Sequence, residues 1–439
     1  MKPASVIRDL TDPEQNEAVL ALADELLAGE LLAAGVAARD RYGPAVAAEA
    51  ETIARSRRRL AALTVPVRLT VGWAMYGETA RMVGRTEHPH GEDFVRAKVR
   101  QLDWLTTGLP DITWDVVACD DGCPDDPSSG DLMADIVAAE GYPAAGHRAV
   151  RVLRLADVLD GGRSVGPAFD RLTSTDQSRK GGSIMAALGA ALDAAPDDVP
   201  APSGDDVRHV LCYTDADLSA NLAQLGSLAA AIVTGDGVVG ALGQRYGLAG
   251  AVLVRGDGPV TEPRSTGGKP DKLIVLFRHF VRALLVPDLA HVLDTQAGFK
   301  AFDATALAPV LPEMTSFNET FDVELLVHLA ARYGARSLVV EPIVFTEDFP
   351  ATNFPSVDPG PGHLTMLRQV VDLYDHFVAP VAPVAGEAAD LLALVRSLDL
   401  DGYVGLIEAL RAEDIGDPTL FDRRWPVAHL RDLLRDLLR

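Results

Sequence analysis

Apolar positions along this chain follow two different periods, and the switch between them sets out the fold. From 13 to 62 the chain is rich in Ala, Leu, Glu and Arg. Leu20, Leu22, Ala23, Leu26, Leu27 and Leu31 fall on one helical stripe. Short apolar runs then alternate with helical stretches. Val65–Trp73, Trp114–Cys119, Ala149–Leu155 and Val210–Tyr213 read as buried strands. Phe94–Thr107, Met133–Glu140 and Ser183–Ala194 read as helices between them. Such alternation predicts an α/β fold, a mostly parallel, doubly wound Rossmann-like sheet flanked by helices. Pro350–Pro361, dense in proline and glycine, reads as a closing loop, and 364–439 returns to amphipathic helix. The expected organisation is a helical N-terminal extension over 1–63, a central α/β domain over 64–362 and a helical C-terminal extension over 363–439. The extensions are expected to pack or to pair two copies in a homodimer.

Composition narrows the partners. Forty basic against 63 acidic residues give a net charge of −23, a surface that repels nucleic acid and anionic membranes. No run of about 18 uncharged apolar residues marks a membrane span, and the N-terminal residues lack a signal-peptide hydrophobic region. The three cysteines, Cys119, Cys123 and Cys212, have no metal-ligand spacing, so they read as reduced thiols of a cytoplasmic protein.

Chemistry gathers where strands end. Val210–Thr214 runs into Asp215-Ala216-Asp217, two carboxylates that can reach one hard cation. Mg²⁺ or Mn²⁺ held by one or two carboxylates and substrate phosphates suits a nucleotide-diphosphate site. Tyr76-Gly77-Glu78 follows the first strand, where Glu78 can accept from a ribose or base. Asp120-Asp121-Gly122 follows the second, where a carboxylate can take the imide N–H of uracil and Gly122 permits the turn. Arg179-Lys180-Gly181-Gly182-Ser183 opens a helix and can hold phosphate. Asp294-Thr295-Gln296-Ala297-Gly298-Phe299-Lys300 and Phe321-Asp322-Val323-Glu324-Leu325-Leu326 follow. For Asp322 and Glu324, a catalytic role competes with favouring a helix dipole. His363, in the Pro/Gly-rich stretch, is a further candidate contact to metal or diphosphate.

The order and spacing of these segments resemble the family 2 type glycosyltransferases of the GT-A fold, in particular the soluble parts of dolichyl-phosphate glucosyl- and mannosyltransferases. The resemblance spans roughly residues 65 to 350. It implies that Tyr76, Glu78, Asp120 and Asp121 hold the nucleoside, and that Lys180 with Gly181 meets the ribose or phosphate. It implies that Asp215 lies near the sugar and that Asp217 coordinates Mg²⁺ or Mn²⁺. The loop Gln296–Lys300, with Gly298, would line sugar and acceptor, Arg255 would face phosphate, and Asp322 would be the acceptor-side base. The wording around Asp294 points to the glucosyl branch and so to UDP-glucose. Gly77 stands where the family has Asn, and the polyprenol-serving membrane segments are absent, which favours a small soluble acceptor. Two rivals share parts of the pattern. A sugar-phosphate nucleotidyltransferase needs a glycine-rich phosphate loop after its first strand, where this chain has Ala74-Met75-Tyr76-Gly77-Glu78. A non-catalytic binding protein would have little use for an intact D-x-D pair.

Overall fold

The structure is a computed structural model that describes residues 8–29, 43–142, 148–161, 165–194, 202, 206–245, 251–255, 272–348, 361–380, 386–412 and 425–438. Its centre is a seven-stranded sheet in the order β3-β2-β1-β4-β7-β5-β8. The strands are β1 (Val67–Met75), β2 (Ile112–Asp120), β3 (Arg148–Arg154), β4 (Arg208–Thr214), β5 (Gly240–Gln244), β7 (Phe299–Asp303) and β8 (Leu338–Pro342). Pairing is parallel from β3 to β4 and from β5 to β8. β7 alone in this sheet runs antiparallel, between β4 and β5. β6 (Ala251–Arg255) and β9 (Val344–Asp348) form a separate parallel pair. The result is the mostly parallel, helix-flanked α/β sheet that the strand–helix alternation predicts. Every residue of β2 is buried, as a strand covered on both faces requires.

Successive side chains on a strand point to opposite faces, and the core divides accordingly. Val67, Leu69, Val71, Trp73 and Met75 of β1, with Trp114, Val116 and Ala118 of β2 and Val210 and Cys212 of β4, build one core. Val117, Cys119, Leu211 and Tyr213 build the other. The helices Pro13–Ala28 and Pro44–Ala61 spend their apolar stripe (Val19, Leu22, Leu26, Ile53 and Leu60) on the first. The helices Pro361–Leu373, Glu387–Ser397, Leu400–Ala412 and Val427–Leu437 put Leu364, Leu391, Val395, Leu406 and Leu434 into the second. The two extensions thus put their apolar stripes on opposite faces of one sheet. Leu31 and the stretch 349–360, most of the expected closing loop, lie outside the described residues.

Away from the strand ends, a buried polar cluster ties the three central strands. Thr70 Oγ1 donates to Asp115 Oδ1 at 2.6 Å and lies 2.8 Å from His209 Nε2. Asp115 also receives Arg68 and Arg151, each at 3.0 Å. Burial, and then Arg68, push the His209 imidazole down to about 4. The folded protein therefore keeps His209 neutral where the unfolded chain, titrating near 6.5, takes up a proton. This stability is complete above about pH 6.5 and is lost as pH falls toward 4, by up to roughly 3 kcal/mol. Urea unfolding at pH 7 and pH 4.5 should show the loss in the wild type and a smaller one in His209→Gln. Equal losses in both would exclude His209 as its source.

Candidate functional site

Because β1, β2, β4 and β5 all run in one direction, their carboxyl ends share one edge of the sheet, where α/β folds place their ligands. Trp73 is in register with Thr214 and Met75 with Asp120, so Glu78, Asp121 and Asp215 leave the sheet side by side. Lys180 joins them. Its backbone N–H donates to Asp121 Oδ2 at 2.8 Å, and its Nζ forms an ion pair with Asp215 Oδ1. Ser183 Oγ holds the other oxygen of Asp121 at 2.6 Å. To do this, Arg179 and Lys180 adopt φ of 45° and 81°, left-handed backbone that costs on the order of 1–3 kcal/mol for residues with a Cβ and gathers at functional sites.

Charges alternate across the crevice. Asp215 is held below the usual carboxylate range: burial alone would raise it, and Lys180, then Arg245 and Lys98, more than offset that. Lys180 is held above its ordinary value because Asp215, with Asp217 and Asp322, outweighs burial. Lys98, on the helix Phe94–Thr106, is fully buried behind the D-x-D turn and donates to the Asp215 carbonyl at 3.1 Å. Burial brings its ammonium down to about 8, against the pull of Asp217 and Asp215. Arg81 Nη1 lies 3.2 Å from Asp217 Oδ2 and 3.1 Å from Glu78 Oε2. Burial lifts Glu78 to about 7, with Arg81 opposing and Asp217 and Asp215 assisting. Asp121 is likewise raised by burial, against hydrogen bonds from Ser178, Ser183 and Lys180. Tyr76, which follows β1, is 49% exposed.

The second half of the chain closes the crevice. Asp215 N–H donates to the Gly298 carbonyl at 3.2 Å. A Cβ on Gly298 would lie 2.6 Å from Asp215 Oδ1 and 2.7 Å from its Cγ, so only glycine fits the cradle of that carboxylate. Gly298→Ala should displace Asp215, at a stability cost of about 1–3 kcal/mol from overpacking. Thermal melts check the cost, and an unchanged melting temperature would show that the turn accommodates the added methyl. Gln296 is half-buried on the same turn. Lys300 begins its contacts one residue inside β7, not in a loop as its motif suggests. Fully buried, it donates to the Ala297 carbonyl at 2.6 Å and lies 3.3 Å from Asp322 Oδ2. Asp322 Oδ1 has no hydrogen-bond partner among the described residues. Burial raises the Asp322 pKa despite Lys300.

Three expectations are corrected by these contacts. Asp120 does not face the crevice: Oδ1 accepts from the amides of Gly122 and Cys123, and Oδ2 from Gly130, at 2.6–2.9 Å, so it shapes the loop that presents Asp121. Glu324 anchors Thr315 and Ser316, whose amides donate to it at 2.7 and 2.6 Å. Burial is outweighed there by hydrogen bonds from His328, Ser316 and Thr315, which hold Glu324 below its ordinary value. Both oxygens are spent on structure, so it is no acid–base group. Nor does the helix Gly181–Leu192 offer its start to phosphate. Gly182 N–H donates to the Phe317 carbonyl at 2.9 Å, and a Cβ on Gly181 would sit 2.5 Å from the Asn318 oxygen. Gly181 thus permits a close backbone approach. Arg255 closes β6, but its side chain and that of His363 lie outside the described residues.

Three side chains at this edge escape the motif reading. Arg81 sits three residues after Glu78 on one helical turn, a spacing that alone could have suggested the pair. Arg245 directly follows β5 and grips Asp294 at 2.8 Å, with Arg278 on the same carboxylate at 2.9 Å. A strand-end basic residue was the available signal. Lys98 is one basic residue in an amphipathic helix, and nothing in its spacing marks it.

No protein-family model matches the chain, and no curated protein matches it. Among solved structures it is similar to the crystal structure of M. tuberculosis glucosyl-3-phosphoglycerate synthase, at 17% identity and a TM-score of 0.40, over 73% of this chain and 82% of that one. It is also similar to mannosyl-3-phosphoglycerate synthase from Rubrobacter xylanophilus, at 12% identity and a TM-score of 0.39, over 76% and 82%. Likeness at this level leaves the reaction and its residues to be argued from the site itself.

Proposed function

We propose that the protein is a glycosyltransferase that moves a hexosyl group from a nucleotide-diphosphate sugar to a small hydroxyl-bearing acceptor. The observation that carries this reading is the Lys180 bridge between Asp121 and Asp215. It joins the ends of β2 and β4 across the end of β1, with carboxylates suited to the nucleoside on one side and a carboxylate pair and ammonium suited to the diphosphate on the other. Asp121 and Glu78, with Tyr76 above them, are suited to a base and ribose. Lys180 is suited to the diphosphate. Asp322 lies deep, with 5% of its surface exposed, so only a small acceptor can bring a hydroxyl to it.

Asp215 and Asp217 supply hard oxygen donors, and a cationic group, the Arg81 guanidinium, already sits on Asp217. The donor set therefore fits Mg²⁺ or Mn²⁺, with remaining ligands from diphosphate and water. Such an ion, when bound, neutralises charge that grows on the leaving diphosphate. Lys180 stabilises the same charge from the protein side, and Asp322 takes the acceptor proton, a contribution of roughly 10²–10⁴-fold. UDP-glucose is the first donor to test. Incubation with Mn²⁺ and a panel of UDP- and GDP-sugars should raise the melting temperature for the true donor by mass action and release its nucleotide. A panel in which no donor shifts the melt and none is cleaved would end the sugar-transfer reading. A shift without turnover would favour a binding protein, and formation of nucleoside triphosphate and sugar 1-phosphate when inorganic pyrophosphate is added would favour a nucleotidyltransferase.

A further inference from the structure

Each D-x-D carboxylate has a cationic side chain beside it in this protein. Asp217 Oδ1 accepts from the Ser219 amide at 3.1 Å, and Oδ2 faces Arg81. Arg81 is fixed from behind: its amide donates to the Glu78 carbonyl at 2.9 Å, and its carbonyl accepts from the Glu92 amide at 3.1 Å. Its side chain is 12% exposed, and a single nitrogen, Nη1, reaches both Glu78 and Asp217. Asp215 carries Lys180 in the same way, with Lys98 beneath the turn. A divalent ion placed on Asp217 by itself would crowd the guanidinium at one oxygen, with two ammonium groups close by, a costly arrangement. A diphosphate entering with the ion brings compensating negative charge and offers oxygens on which a guanidinium can fork.

We infer that Arg81 couples the two ligands: it competes with the divalent cation for Asp217, and the diphosphate draws it off, so that cation and donor bind together and each weakly alone. The inference rests on the donor reading above and assigns Arg81 a role in that site. Thermodynamic linkage makes the coupling reciprocal.

The test is calorimetric titration of Mn²⁺ with and without UDP or GDP, and of UDP and GDP with and without Mn²⁺, corrected for metal held by free nucleotide. It is run on the wild type, Arg81→Gln and Arg81→Lys. Wild type should bind Mn²⁺ weakly alone and at least about tenfold more tightly with the nucleotide. Arg81→Gln should bind Mn²⁺ alone about tenfold more tightly, and the coupling factor should shrink toward one. Arg81→Lys keeps the charge but loses the guanidinium fork, and should move in the same direction. Unchanged Mn²⁺ affinity or unchanged coupling in Arg81→Gln would overturn the proposal. So would wild-type values in Arg81→Lys, which would reduce Arg81 to a diffuse charge. If neither nucleotide binds the wild type at any Mn²⁺ concentration, the donor reading itself fails, and the coupling with it. Melting curves for each variant confirm that the fold survives.

Discussion

Asp217→Asn should lower kcat/KM for the nucleotide-sugar donor by about 10²–10³-fold, the size of effect expected when one preorganised partner of a developing anion is lost, here the cation that the Asp217 carboxylate would hold. The substitution keeps the shape of the side chain, so the Ser219 amide keeps an oxygen to donate to. The side chain is 16% exposed, and burying a neutral amide there costs little stability. What changes is the charge. Position 217 presents no carboxylate to a cation, and Arg81 loses an anionic partner. Steady-state kinetics over a range of Mn²⁺, with circular dichroism to verify the fold, separates this from unfolding. Wild-type turnover in the folded variant would remove Asp217 from the diphosphate site, and with it the reason for reading the crevice as a donor site.

The positions of these groups were legible in the sequence to the extent that they follow from strand ends. Parallel strands buried on both faces announce themselves as short continuous apolar runs, and the polar residue after each run must emerge at one edge. Glu78, Asp121 and Asp215 were found that way. Their uses were less legible, because a carboxylate at a strand end serves equally well to hold backbone amides. Asp120 and Asp121 are adjacent, yet one binds its own loop and the other faces Lys180. Only the turn geometry decides between them. Glu324 and Asp322 divide similarly: two residues apart near the start of one helix, one reaches back to Thr315 and Ser316 and the other points at Lys300. β7 was missed as a strand because Phe299–Asp303 is short and carries a buried lysine. That charge is tolerated because Asp322 and the Ala297 carbonyl receive it. The terminal helices read as extensions that pack or pair two copies, because their stripes look like any amphipathic surface. Which sheet face they cover is a long-range matter that periodicity does not encode.

Asp322→Asn should produce the second large effect, a fall in kcat of about 10²–10⁴-fold with an alcohol acceptor and little change in donor affinity. The base must be ionised to take a proton. Burial raises the Asp322 pKa against the pull of Lys300, so activity should climb with pH through a limb displaced upward from that of an ordinary aspartate. In Asp322→Asn the limb attributable to this residue should vanish from what turnover remains. Lys300 bears on the same limb. Lys300→Met removes the ammonium that opposes burial and should carry the limb to still higher pH, in a fold weakened by loss of the contact to Ala297. A positioned base and a purely structural aspartate differ in this readout: the structural role predicts lower stability with an unmoved pH profile. A full rate in Asp322→Asn would mean that the acceptor arrives already ionised, as a phosphate does. The oxygen of Asp322 that lacks a partner among the described residues would then have no acceptor proton to take.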